Sequence, residues 1–122
     1  MNWIRRYLEL AAEVAIAEDR REHRIGAVGL RADGAVVTAR NGSCPNGVRA
    51  PSAHAEARLA RKLDWGSLVF VARASKSGDL ALAEPCKRCR QMLKQRGVVR
   101  VYYSMEPSAG GFGSIAFKRE TP

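Results

Sequence analysis

A chain of 122 residues suits one domain spanning residues 1–122, and its 46% hydrophobic content is enough to bury a single core. No apolar run is long enough for a transmembrane helix, and three cysteines, an odd number with two in Cys-x-x-Cys, argue against a secreted disulfide framework and for thiols used as ligands. The formal net charge of +9 favours phosphate-bearing partners, although the basic residues spread from Arg5 to Arg119 in an Ala- and Gly-rich chain, a composition that coding bias also produces.

The N-terminal stretch is charged at both ends and lacks the apolar core and cleavage site of a signal peptide, so a cytoplasmic location is expected. Ile4, Leu8, Ala11 and Ala15 recur at helical spacing with Tyr7 and Val14 beside them, which predicts a first helix with one buried face. Next, RIGAVGLRADGAVVTAR reads as a hairpin around Ala32-Asp33-Gly34. NGSCPNGVRAPSA reads as a loop, after which Ser52 can cap a helix from about Ala53 to Leu63. SLVFVAR is a buried strand, and ASKSGDLALA reads as a turn at residues 77–79 followed by a short strand. Pro85 suits the first turn of a third helix, which should end near Arg96 with Gly97 as its cap. VVRVYYS is a strand, MEPSAGGFGS a loop and SIAFK a short last strand. Helices alternating with strands after a hairpin predict a mixed sheet covered by helices.

The chemistry-bearing residues gather at two helix starts. His54 and Glu56 fall in the first turn of the second helix, and Cys86 and Cys89 in the first turn of the third. Residues three apart share a helix face, so both sulfurs can reach one point. If the two helix N-termini face each other, His54, Cys86 and Cys89 can bind one Zn²⁺ through ligands that zinc prefers. Three protein ligands leave a fourth position open for water, the mark of a catalytic rather than a structural zinc. Glu56 then remains to move the proton of that water. Alone, Cys-x-x-Cys is also compatible with a redox pair or half of a structural zinc site. A structural site needs a fourth ligand, and His23 and Cys44 are the other soft candidates. His23 lies in the charged run RREHR and suits a solvated helix end, whereas Cys44 lies in the loop expected to border the pocket. Tyr102, Tyr103 and Phe112 could offer a stacking surface for bases, with at least one of the tyrosines expected in the core. Lys87, Arg88 and Arg90 flank the second motif and suit either phosphate contact or a solvated helix face.

His-Ala-Glu at residues 54–56 followed by Pro-Cys-x-x-Cys at residues 85–89 resembles the zinc-dependent cytidine and deoxycytidylate deaminase superfamily. The resemblance covers most of the chain. It implies a cytidine-deaminase-like three-layer α/β fold, a mixed five-stranded sheet flanked by helices. It also implies His54, Cys86 and Cys89 as zinc ligands and Glu56 as the proton shuttle. Asn41 falls where many members place an asparagine on the substrate, and Ala55 where a backbone N–H commonly contacts the base. The reaction implied is hydrolytic conversion of cytosine to uracil, with release of ammonia, in a mononucleotide or a single-stranded nucleic acid. A homo-oligomer is implied by resemblance only. Two alternatives remain open. One is adenine deamination in RNA or of a free purine, which the Glu84-Pro85-Cys86 variant resembles. The other is a non-catalytic, zinc-stabilised nucleic-acid-binding module. The ASKSGDLALAE insertion ahead of Pro85 lies beside the expected pocket and bears on which base is taken.

Overall fold

A computed structural model describes residues 2–16, 24–40, 55–74, 80–105 and 112–117. Helix α1 spans Asn2–Ile16. Strands β1 (Arg24–Leu30) and β2 (Val36–Arg40) form the first hairpin. Then follow α2 (Ala55–Ala60), β3 (Leu68–Ala74), β4 (Leu80–Ala81), α3 (Lys87–Gln95), β5 (Arg100–Ser104) and β6 (Phe112–Ala116). Five strands lie in the order β2-β1-β3-β5-β6, and the two-residue β4 pairs with β3 off that path. The β3–β5 pair is parallel and every other pair antiparallel, so the sheet is mixed.

The hairpin turns where Asp-Gly predicts. Arg31 N–H donates to Ala35 O at 2.9 Å and Gly34 N–H to Arg31 O at 3.0 Å, while Asp33 Oδ1 accepts the Ala35 N–H at 3.0 Å. The register Leu30↔Val36 follows, and Val28↔Thr38 and Gly26↔Arg40 continue it.

Because side chains alternate along a strand, β3 serves two cores at once. Phe70 and Ala72 face α1, where they pack with Ile4, Leu8, Ala11 and Val28. Val69 and Val71 face the other way, among Leu59, Leu63, Leu93, Val98 and Val101. The helices thus form two outer layers around the sheet, α1 on one face and α2 with α3 on the other. All four predicted stripe residues of α1, Ile4, Leu8, Ala11 and Ala15, are buried. The helix comes so close to β1 that a Cβ on Gly26 would collide with the Ala11 carbonyl oxygen and stand 2.7 Å from the Ala15 nitrogen. Any larger residue there would push the helix off the sheet.

Helix α3 ends as its sequence requires. Gly97 takes φ +85°, its N–H donates to Lys94 O at 3.0 Å, and Val98 N–H reaches back to Leu93 O at 3.1 Å. This is a Schellman closure, and its usual apolar contact comes from Leu93 and Val98, both in the core.

Several boundaries differ from expectation, β5 for example starting at Arg100 rather than Val98. Helix α2 stops at Ala60 rather than Leu63, because the chain tightens into i→i−3 bonds, Lys62 N–H to Leu59 O (2.8 Å) and Leu63 N–H to Ala60 O (3.3 Å). Helix α3 begins at Lys87, with Cys86 as an extended N-cap (φ −67°, ψ 163°), so Pro85 precedes the cap and lies buried instead of occupying the first turn. The last strand starts at Phe112, inside the stretch expected as loop. The short strand expected within ASKSGDLALA is β4, while the turn at residues 77–79, Ser52 and His23 lie outside the described residues. Among the described residues, no helix is long and apolar enough to cross a membrane.

Candidate active site

The site lies at the carboxyl ends of the parallel pair β3 and β5, where ligands commonly bind in open α/β sheets. Beyond Val71 the two strands part and β4 enters the gap, pairing Ala81 with Arg73 and Leu80 with Ala74. Ser104, the last residue of β5, ties the junction together. Its hydroxyl donates to Ala81 O at 2.6 Å and accepts the Arg73 N–H at 3.1 Å, and its carbonyl accepts the Ala83 N–H at 3.0 Å. Buried Ala83 and Pro85 then lead the chain into Cys86.

The two helices are set side by side at their far ends. A helix leaves its last carbonyls without intrahelical partners. Arg96, the C-cap of α3, donates from Nε to Ala60 O at 2.7 Å and from Nη2 to Leu63 O at 3.2 Å. One guanidinium thereby ties the C-terminal end of α2 to that of α3, and the N-terminal ends come together at the other side of the layer.

There Glu56, in the first turn of α2, is buried with 5% of its surface exposed. Cys89, three residues past the cap Cys86, is buried at 1%, whereas Cys86 is exposed. The Cys89 thiol is in hydrogen-bonding contact with both Cys86 and Glu56. Burial is the main reason its pKa is driven up, and the negative field of Glu56 and Cys86 adds to the effect. The two sulfurs are donors that suit zinc, and the buried Glu56 carboxylate stands beside them.

Of the expected site residues, Glu56, Cys86 and Cys89 come together. Ala55 is the first described residue of α2, with its side chain in the core. His54 and Asn41 lie outside the described residues, as does Cys44. Among the described residues, no group of three His, Cys, Asp or Glu side chains forms a metal cluster. Lys87 and Arg88 are exposed and Arg90 is half-buried. Tyr102 and Tyr103 are also half-buried, one packed against each core. Ser104 is the residue that the sequence did not reveal. Its partners lie 31 and 23 residues away, so no local pattern points to it.

These features define a class: a three-layer α/β protein with a carboxylate and a Cys-x-x-Cys pair meeting at two helix N-termini. Residues 1–105 match the family model described as the cytidine and deoxycytidylate deaminase zinc-binding region, and the chain belongs to that family. No curated protein sequence matches it significantly. Among solved structures, it resembles the dCMP deaminase of cyanophage S-TIM5 in its apo form, at 24% identity and TM-score 0.60 over 86% of this chain and 84% of that one. It also resembles the cytidine deaminase of Mycobacterium leprae, at 21% identity and TM-score 0.60 over 93% of both chains. A third is the cytidine deaminase of Burkholderia pseudomallei, at 18% identity and TM-score 0.61 over 92% of this chain and 91% of that one. At such identities the likeness establishes the shared fold.

Proposed function

We propose that the protein is a zinc-dependent hydrolytic deaminase that converts cytosine to uracil in a cytidine or deoxycytidine substrate and releases ammonia. The meeting of Glu56 with Cys86 and Cys89 at the ends of α2 and α3, in a chain of this family, carries the proposal. His54, Cys86 and Cys89 would hold zinc, which supplies an acidified water at the open position. Glu56 would take a proton from that water and pass it to the ring nitrogen as the water oxygen bonds to the amino-bearing carbon; the second proton would go to the amino group, which leaves as ammonia. Its burial favours this role, because a shielded carboxylate keeps its proton within the site rather than losing it to solvent. Asn41 and the Ala55 N–H orient the base. One deaminase domain over residues 1–122, a cytoplasmic location and self-association belong to the same proposal.

Ammonia release from cytidine, deoxycytidylate, adenosine and single-stranded oligonucleotides tests it. The zinc-loaded protein should act on a cytosine substrate. Release from adenosine alone would shift the reading to a purine deaminase. No release from any substrate would leave a zinc-stabilised nucleic-acid-binding module.

A further inference from the structure

A groove of about 580 Å³ opens along β2, the edge strand of the sheet, walled by α2 and the turn after it and reaching Val14 of α1. Arg40, Arg58, Arg61 and Lys62 line it, and among the described residues no acidic side chain does. Two of these cations are anchored on backbone. Arg58 Nη1 donates to Arg40 O at 3.2 Å, and Lys62 Nζ donates to Thr38 O at 2.6 Å. Both carbonyls belong to the open edge of β2, so the two side chains close an edge that would otherwise invite another strand. Each bond uses one N–H of a guanidinium that carries five or an ammonium that carries three, which leaves further donors for a ligand.

The arrangement favours a chain of anions over a single one. Thr38 and Arg40 are two residues apart on an extended strand, so their anchored cations are spread by about 7 Å. Four cations exceed what one terminal phosphate requires, and a row of them suits phosphates that follow one another. The groove shares a helix with the site: Arg58 and Glu56 both belong to α2, Arg58 exposed on the groove and Glu56 buried. The chain's net charge of +9 works in the same direction. We propose that the groove between β2 and α2 binds the phosphodiester backbone of a single-stranded polynucleotide and presents one of its bases to the Glu56 end of α2. The inference names the substrate class of the deaminase proposed above and rests on that reading for the role of Glu56.

Binding is measured on the zinc-loaded full chain as the anisotropy of a short end-labelled single-stranded oligonucleotide, across about 50 to 200 mM salt. Removing one phosphate contact should lower the magnitude of the log–log salt slope by about 0.7. Arg61→Ala and Arg58→Ala should each do so and weaken binding about threefold or more. Arg61 makes no side-chain hydrogen bond among the described residues. Its variant therefore keeps the fold even if Arg58→Ala, which frees the Arg40 carbonyl, does not; circular dichroism checks both. Arg5→Ala removes the same charge from the exposed face of α1 and should leave affinity and slope as they are. An unchanged Arg61→Ala protein, or an equal loss in Arg5→Ala, overturns the groove. So does displacement of the probe by deoxycytidylate as effective as that by unlabelled oligonucleotide, which marks a single-phosphate site. Because anisotropy reads binding without turnover, failure of the groove and failure to release ammonia are separate results.

Discussion

Asp64 joins the hairpin to the far end of α2 through one carboxylate. It accepts the Ala32 N–H at 3.0 Å and the Ser67 hydroxyl at 2.7 Å, with the Arg31 guanidinium 3.7 Å away. These contacts, the Ala32 N–H first and the Ser67 hydroxyl next, hold its pKa below the usual carboxylate value of 3.8. The folded state therefore prefers the ionised form. Its contribution to stability is complete above that ordinary value and is lost as pH falls through the depressed one. The stability difference between wild type and Asp64→Asn, from urea unfolding, should hold level from neutral pH down to about 5 and shrink below about 4. A gap that stays level to the lowest pH at which the protein folds would contradict this. Cys89 carries a different expectation. A ligand that binds only the folded chain stabilises it by about 4 kcal/mol at a thousand times its Kd. Zinc should thus raise the melting temperature of the wild type, and Cys89→Ala should abolish both the shift and the bound metal. An equal shift in the variant would remove Cys89 from the ligand set. Both cysteines were legible in the sequence because Cys-x-x-Cys carries its geometry in its spacing. Asp64 was not, since the Ala32 N–H and the Arg31 guanidinium come from a hairpin more than thirty residues upstream.

Among the elements, α1 was the easiest to read. A 3.6-residue stripe of Ile4, Leu8, Ala11 and Ala15 has one solution, a helix on a sheet. How closely it packs was hidden, because glycine in a strand does not announce what lies above it. Gly26→Ala places a methyl group against the Ala11 carbonyl, and backbone cannot yield as a side chain can. Overpacking of this kind costs roughly 1–3 kcal/mol, which denaturant unfolding will resolve; an unchanged midpoint would show that the helix can rise off β1 freely. Arg96 acts between elements. Arg96→Ala withdraws the donor from the Ala60 and Leu63 carbonyls, at a cost of about 1–3 kcal/mol. It should also lower zinc affinity, since the same contact aligns α2 with α3. Loss of stability with zinc affinity intact would separate the cap from the alignment of the site. The start of β6 escaped the sequence for a plain reason. Phe112, Ser114 and Ala116 all face solvent, so the strand lacks the apolar alternation that marks a half-buried one.

At the scale of the whole molecule, two helix N-termini meet at the ends of two parallel strands. That meeting depends on contacts distant in sequence: Ser104 holding β4 between β3 and β5, and Arg96 joining α2 to α3 at their other ends. The sequence singled out Glu56, Cys86 and Cys89, which the fold brings together, because helix starts and Cys-x-x-Cys spacing are local signals. It could not show what holds them in place. In the proposed mechanism Glu56 moves protons and does not hold the metal. Zinc content and ammonia release from cytosine substrates, measured side by side on wild type and Glu56→Ala, test it most directly. The variant should bind zinc in the same ratio as wild type and lose turnover by about a hundredfold or more. Full activity in Glu56→Ala, or loss of its zinc, would contradict the account.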